Sequence, residues 1–281
     1  MKKLNIVQLQ KKANALRQDV IKMLVAAGSG HSAGPLDLAE FFATMYFNVL
    51  NHNPQKPMDK NRDRLFLSCG HVAPIRYAAM MHAGYIKKSL LGKLRKFGSP
   101  LQGHPSYNDI PALESSSGPL GQGYSVAVGA ALAGKLRGDK NFVYLLTSDG
   151  EHNEGQAWEA IMSAAKFHLG NLIVFVDRNN IQIDGNTEDV MPLESLRAKY
   201  EAFNWHVMEI DGHNPEQIID ACEFAKAVYE RPTVIILRTI PGKGVSFMEY
   251  DYKWHGKPPK LEEARIALKE LRTLGGKISH E

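Results

Sequence analysis

Hydrophobic residues recur along the second half of the chain in short runs separated by amphipathic stretches. The short apolar runs predict strands at 142–147, 171–176, 205–210 and 232–238. The other stretches carry apolar residues at helical spacing, which predicts helices at 155–168, 195–203, 215–229 and 261–273. Strands that alternate with helices in this way predict an α/β fold, with a mostly parallel central sheet and helices on both faces.

The pattern is less regular before residue 142. Helical spacing predicts helices at 8–27, 35–48, 72–83, 87–97 and 121–137, and a short apolar run predicts a strand at 64–68. The stretch 98–119 is rich in Gly, Pro and Ser, and connections of that length usually carry function. A second loop is expected at 181–194. The sequence has no internal repeat or evident linker, so we expect one domain over residues 1–281.

Composition narrows the class of protein. Hydrophobic residues make up 44% of the chain and charged residues 23%, which is ordinary for a globular protein. The net charge of +4 comes from dispersed Lys and Arg, so we expect no nucleic-acid partner. No apolar window approaches the ~20 residues of a membrane span, so we expect no membrane partner. Cys69 and Cys222 lie too far apart in sequence to suggest a disulfide framework, which favours a cytoplasmic location.

Polar residues follow two neighbouring predicted strands. Ser148-Asp149-Gly150-Glu151 follows the first, and Asp177-Arg178-Asn179-Asn180 follows the second. Parallel strands would bring both segments to the same carboxyl edge, where open α/β sheets bind ligands. Asp149 and Asn179 offer hard oxygen atoms of the kind that Mg²⁺ binds beside a phosphate, and Gly150 allows a close backbone approach. The pattern predicts a clamp for a diphosphate and a metal, and two unrelated turns are the alternative.

These two segments resemble the thiamine diphosphate (ThDP) signature of transketolases, in which Gly-Asp-Gly is followed after about thirty residues by Asn. Ser148 stands where the family usually has Gly. Five further segments resemble transketolase motifs and occur in the family's order: Ala27–Gly34, Asn61–His71, Gln102–Pro105, Ser117–Gly123 and Trp254–Pro258. On these motifs the chain is identified as a member of the transketolase family.

The resemblance implies that the chain binds ThDP and Mg²⁺, for which Ca²⁺ or Mn²⁺ could substitute. The metal would be held by side-chain oxygens of Asp149 and Asn179 and by the backbone carbonyl of Ile181. Cofactor contacts are implied for His71, Gly118, Leu120, Gly150, Glu154, Asn179 and His255. Among these, His71, His255 and Gly150 would contact the diphosphate, and the backbone of Gly118 and Leu120 would touch the aminopyrimidine ring. Glu154 matches a carboxylate near the family's subunit interface, and a charge partner for a helix start is the alternative.

The resemblance also implies catalytic roles for His31 and His104, which would line the substrate channel, orient sugar hydroxyls and move protons. Each lies beside a glycine in a predicted loop, and imidazole transfers protons near neutral pH. The implied reaction is the transfer of a two-carbon ketol unit from a ketose phosphate to an aldose phosphate, as in the pentose phosphate pathway.

The motifs account for only part of a full transketolase. In that family, the glutamate that activates ThDP and most sugar-phosphate ligands lie in a second domain, which we do not recognise after Trp254–Pro258. We therefore expect the N-terminal, diphosphate-binding subunit of a split transketolase, active only in an α₂β₂ complex with a C-terminal subunit that carries the pyrimidine-binding domain. The alternatives are a subunit of another ThDP enzyme, deoxyxylulose-phosphate synthase-like or 2-oxo acid dehydrogenase-like, and a non-catalytic ThDP-binding regulatory subunit.

Overall fold

A five-stranded parallel sheet lies at the centre of the protein, which a computed structural model describes over residues 3–277, with side chains as far as residue 273. The strands of the sheet are β1 (Arg64–Leu67), β2 (Val143–Ser148), β3 (Leu172–Arg178), β4 (His206–Asp211) and β5 (Thr233–Arg238). Their spatial order is β1-β2-β3-β5-β4. Every residue of β2 and β3 is buried, as expected for strands covered on both faces, and this explains the apolar runs with which both strands begin.

Helices cover both faces of the sheet. They are α1 (Ile6–Ala27), α2 (Ala33–Asp37), α3 (Ala39–Thr44), α4 (Ala73–Ala83), α5 (Gln122–Arg137), α6 (Gly155–Lys166), α7 (Thr187–Val190), α8 (Leu196–Ala202), α9 (Pro215–Ala227) and α10 (Leu261–Lys277). One hydrophobic core packs six helices against one face of the sheet, namely α1, α2, α3, α4, α9 and α10. A second core joins α5, α6 and α8 to the other face. The predicted α/β fold class is confirmed.

The predicted helix at 87–97 is wrong. Only a 3₁₀ turn forms there, over Lys88–Lys93, and none of its side chains is buried. Gly92 lies in the middle of the segment, and glycine in a helix interior costs about 1 kcal/mol relative to alanine, while Leu90, Leu91 and Leu94 reach the core without a regular helix. The predicted helix at 35–48 is interrupted, because α2 and α3 are separate and a wider π-type turn follows at Met45–Val49.

The predicted loop at 181–194 contains regular structure. A small antiparallel hairpin pairs Ile181–Gln182 with Gly185–Asn186, and α7 follows it. Further 3₁₀ turns lie at Gly70–Val72, Gly150–Asn153 and Tyr252–Trp254. Within residues 3–277, no helix has the length and hydrophobicity that a membrane span needs.

Candidate active site at the carboxyl edge of the sheet

A cavity of about 340 Å³ opens at the carboxyl edge of the sheet, within the range of small-molecule sites. It is lined by every site residue predicted from the sequence except Glu154. These residues are His31, His71, His104, Gly118, Leu120, Asp149, Gly150, Asn179, Ile181 and His255. Residues from most of the length of the chain therefore meet at one place, although their individual roles stay predictions.

The register of two strands brings Asp149 and Asn179 together. Ser148 at the end of β2 lies opposite Asp177 in β3, so the residues that follow each strand meet at the same edge. Ser148 is part of the regular strand and does not have a positive φ. The serine that replaces the family's glycine therefore imposes no backbone strain.

The Asp149 carboxylate is the centre of a hydrogen-bonded turn. Its Oδ2 accepts bonds from Arg178 Nη1 at 3.0 Å, from the Asn180 amide at 2.8 Å and from Thr187 Oγ1 at 3.3 Å. Its Oδ1 accepts the Gly150 amide at 2.6 Å, which is the amide predicted to contact a diphosphate. Asn180 has a φ of 64°, a left-handed conformation that Asn tolerates.

Arg178 is a buried cation that sequence reasoning gave no role. Its side chain is 1% exposed and forms ion pairs with Asp149 at 3.0 Å, Glu188 at 2.5 Å and Glu194 at 2.9 Å. Burial raises the pKa of Asp149, and the neighbouring guanidinium opposes that rise. Arg178 thus supplies positive charge beside the predicted metal ligand and joins it to the segment that contains α7.

Asn179 lies between two buried acids. Its Nδ2 donates to Asp37 Oδ2 at 3.0 Å and to Asp177 Oδ2 at 2.9 Å, and its Oδ1 accepts the Ile181 amide at 3.2 Å. Thr239 Oγ1 donates to the other oxygen of Asp177 at 2.5 Å. Burial raises the pKa of Asp37 well above its usual value and that of Asp177 to about 8.

Four histidines line the other side of the cavity. The ring centroids of His31, His71 and His255 form a triangle with sides of 5.0, 5.2 and 5.5 Å. Burial lowers the pKa of all four histidines. For His31, burial lowers the pKa to about 4, and the charges of neighbouring His255 and Arg95 add to this effect. The Nδ1 atom of His31 is buried without a hydrogen-bond partner among the described residues. These imidazoles are therefore neutral at pH 7.

Close packing brings the loops of the site together at Gly70. A Cβ atom at this position would lie 2.6 Å from Ser117 Oγ, 3.1 Å from the Gly118 amide nitrogen and 3.1 Å from His104 Cδ2. Any larger residue would have to push the 117–118 backbone or the His104 ring away. This glycine sets the spacing between three of the loops that resemble family motifs.

Glu151 holds one of these loops, which sequence reasoning did not anticipate. The side chain is fully buried, and its Oε1 accepts the Gly121 amide at 2.6 Å. It also accepts hydrogen bonds from the hydroxyls of Ser68 and Thr147. Glu154, in contrast, is exposed at the start of α6 and lies outside the cavity. Its position at a helix start fits a charge partner for that helix, and a role at an interface stays a prediction.

His152 supports the Asp149 turn through buried hydrogen bonds. Its Nδ1 lies 2.9 Å from the Ser148 carbonyl oxygen, to which it donates, so Nε2 accepts from the Tyr200 hydroxyl at 2.7 Å. Tyr124 completes this buried cluster. Burial lowers the pKa of His152 to about 4. Sequence reasoning left His152 unassigned because both tyrosine partners are remote in the chain.

The donor set fits a hard divalent cation. Within residues 3–277, no three His, Cys, Asp or Glu side chains are grouped as metal ligands. Among the residues that line the cavity, the predicted ligands offer a carboxylate (Asp149), a side-chain amide (Asn179) and the backbone at Ile181. Such a set suits Mg²⁺, which takes oxygen ligands and completes its shell with phosphate and water.

Comparisons with known proteins agree with this geometry. The family described as "Transketolase, thiamine diphosphate binding domain" matches residues 8–276. The 6-deoxy-6-sulfo-D-fructose transketolase subunit SqwG of a Clostridium species is 40% identical over 269 residues, which are 96% of this chain and 98% of the relative. An apulose-4-phosphate transketolase subunit of Phocaeicola vulgatus is 36% identical over 275 residues, 98% of this chain and 97% of the relative. A crystal structure of Pichia stipitis transketolase with sedoheptulose 7-phosphate has a TM-score of 0.90 at 33% identity, over 96% of this chain and 41% of that one.

Proposed function

The chain belongs to the transketolase family as an N-terminal, ThDP-binding subunit, and we propose that it transfers a two-carbon ketol unit together with a separate C-terminal chain. One observation carries the proposal: the residues that resemble the family's cofactor and substrate contacts line a single cavity at the carboxyl edge of the sheet. The proposed substrates are a ketose phosphate as donor and an aldose phosphate as acceptor.

We propose that Asp149, Asn179 and the Ile181 carbonyl hold Mg²⁺, and that His71, His255 and the Gly150 amide hold the diphosphate of ThDP. All of these groups line the cavity. The Gly150 amide donates to Asp149 Oδ1 at 2.6 Å, so a diphosphate would have to share this donor or replace its acceptor. Neutral imidazoles donate one hydrogen bond each to phosphate oxygens without adding a buried cation.

When bound, ThDP supplies the carbanion chemistry that carries a two-carbon unit between sugars. The protein supplies binding and proton transfer. Burial lowers the pKa of both His31 and His104, so each ring is neutral at pH 7. A neutral ring has one nitrogen free to accept a proton from a sugar hydroxyl, and His31 Nδ1 has no partner among the described residues. We propose that these two histidines orient the sugar hydroxyls and move their protons.

Two observations support a partner chain. The relatives that this chain matches over 98% and 97% of their own length are named as subunits. On the rim of the cavity, Ile183 is 66% exposed, and a partner seated on this rim would bury its apolar side chain. We propose that a C-terminal subunit with the pyrimidine-binding domain covers this rim in an α₂β₂ complex. Cys69 and Cys222 are free, which supports a reducing compartment such as the cytoplasm.

The first test is ketol transfer from xylulose 5-phosphate to ribose 5-phosphate with ThDP and Mg²⁺. The chain is assayed alone and with the pyrimidine-domain chain that copurifies from its source. Activity only in the mixture supports the proposal, and activity of this chain alone contradicts the need for a partner. Parallel reactions with 6-deoxy-6-sulfofructose and apulose 4-phosphate as donors test the substrates named for its relatives. Turnover of pyruvate but of no sugar would favour another ThDP reaction.

A further inference from the structure

The Asn179 amide group is held by two acids that come from different parts of the fold. Asp37 is the last residue of α2, and Asp177 lies in β3. Their Oδ2 atoms lie 3.0 and 2.9 Å from Asn179 Nδ2. The acids are 0% and 1% exposed, so no solvent competes for these bonds. We define Asp37, Asp177 and Asn179 as the acid–amide clamp.

The clamp determines which way the amide points. A side-chain amide has two N–H donors and one carbonyl oxygen. In the clamp, the nitrogen donates to both acids, so the carbonyl oxygen Oδ1 faces the Ile181 amide at the edge of the cavity. Rotating the group by half a turn would turn Nδ2 toward the Ile181 amide, so that two donors would face each other and the Ile181 amide would lose its acceptor, which disfavours that orientation.

We propose that Asp37 and Asp177 are positioning residues that keep the Asn179 carbonyl oxygen turned toward the cavity, in the orientation that a divalent cation requires. This inference rests on the proposed Mg²⁺–ThDP site. Ligands of metals are commonly oriented by hydrogen bonds from a surrounding layer of residues, and loss of such a partner weakens metal affinity by about 10–100-fold.

The clamp also connects two sides of the site. Asp37 ends the short helix that begins just after the His31 loop, and its Oδ2 reaches across to the end of β3. Thr239, which follows β5, holds Asp177 through a hydroxyl bond at 2.5 Å. The orientation of one predicted metal ligand therefore depends on three separate segments. A simpler hypothesis is that Asn179 only satisfies two buried acids, in which case the clamp stabilises the fold without influencing metal affinity.

The two hypotheses differ in the Mg²⁺ requirement for cofactor binding. ThDP is titrated calorimetrically into the full chain, with its partner subunit present, at a series of Mg²⁺ concentrations. Asp37→Ala should raise the Mg²⁺ concentration for half-maximal ThDP binding by about 10–100-fold. Asp37→Asn keeps an acceptor oxygen and should need less Mg²⁺ than Asp37→Ala. Thr239→Val, which leaves both acids in place, should give a smaller rise in the same direction.

Asp63→Ala is the matched control. Asp63 is also a buried acid, but it accepts the amides of Asn51 and Phe142 before the first residues of β1 and β2, at the opposite edge of the sheet. This variant should lose stability without changing the Mg²⁺ requirement. The inference is overturned if folded Asp37→Ala binds ThDP at the wild-type Mg²⁺ concentration, or if Asp63→Ala raises the requirement equally. If Asp37→Ala does not fold, a wild-type requirement in Thr239→Val overturns it. A wild-type complex that binds no ThDP at any Mg²⁺ concentration would instead overturn the proposed function, and this inference with it.

Discussion

Replacing Arg178 by Met should destabilise the chain strongly in the absence of cofactor. The change keeps a long side chain but removes the charge that faces Asp149, and both partners of that pair are 1% exposed. Breaking a buried ion pair by removing one partner typically costs about 3–5 kcal/mol. The other two partners, Glu188 and Glu194, are 38% and 45% exposed, so their pairs add at most about 1 kcal/mol each.

Proton uptake by Asp149 limits the loss of unfolding free energy in Arg178→Met. Without Arg178, burial would raise the pKa of Asp149 further, and the carboxyl could become neutral. Neutralising an aspartate with an ordinary pKa of about 3.9 at pH 7 costs about 4 kcal/mol, since each pH unit corresponds to about 1.36 kcal/mol. We therefore expect a loss of about 3–4 kcal/mol at pH 7. The loss should shrink as the pH falls toward the ordinary pKa of aspartate, where protonation becomes easy, and also when Mg²⁺ and ThDP supply a cation beside Asp149.

Urea denaturation followed by far-ultraviolet circular dichroism measures this free energy at pH 7 and pH 5, with and without Mg²⁺–ThDP. Arg238→Met is the control, because the Arg238 side chain is 46% exposed and pairs with Glu209 at 2.7 Å on the surface. It should lose less than about 1 kcal/mol at either pH. The reasoning is refuted if Arg178→Met loses no more stability than Arg238→Met, or if its loss is the same at both pH values.

Four further changes have defined outcomes. Asp149→Ala should abolish Mg²⁺-dependent ThDP binding measured by calorimetry, and unchanged ThDP affinity would remove Asp149 from the proposed metal site. His104→Ala should lower ketol transfer by about 10²–10⁴-fold with ThDP still bound, because it removes a proton-transferring group, and full turnover would contradict that role. Gly70→Ala should cost about 1–3 kcal/mol of unfolding free energy through overpacking against Ser117 Oγ, and Ser117→Ala in the same chain should recover part of it. Burial lowers the pKa of His152 to about 4, whereas an ordinary histidine has a pKa of about 6.5. Between these two pH values the folded chain therefore binds fewer protons than the unfolded chain. The stability of wild type relative to His152→Gln should therefore fall as the pH drops through that range, and a constant difference in urea midpoint would contradict the assignment.

The sequence was sufficient for the central strands of the sheet because each contains a long apolar run. Strand β3 was predicted at 171–176 and is found at Leu172–Arg178, since a strand buried on both faces leaves an uninterrupted apolar run. The same logic placed Asp149 and Asn179 at one edge, because parallel register aligns the ends of neighbouring strands. The helix predicted at 87–97 does not form, because Gly92 interrupts the segment and its leucines pack against the core from irregular backbone.

The supporting residues of the site could not be predicted, because their partners are remote in sequence. Asp37 stands alone as an aspartate in an apolar segment, and its hydrogen-bond partner Asn179 is separated from it by 142 residues. Arg178 is the last residue of a buried strand. A buried charge of this kind indicates that an oppositely charged residue lies nearby, but the sequence does not show which residue it is. Glu151 gave no signal beyond its place next to Gly150, since its bond to Gly121 depends on how a distant turn packs.

The closing contacts of the cavity join the two ends of the fold. Ser32 Oγ donates to the Lys257 carbonyl at 2.6 Å across a separation of 225 residues, beside the His31 and His255 rings. The contact cannot form before residue 257 has been synthesised, and closing a loop of this length costs the chain conformational entropy. Newly synthesised chains should consequently remain unable to retain cofactor until the last loop has docked. Because a ligand stabilises only the state that binds it, ThDP and Mg²⁺ would then act as selective stabilisers of completely folded chains during biosynthesis.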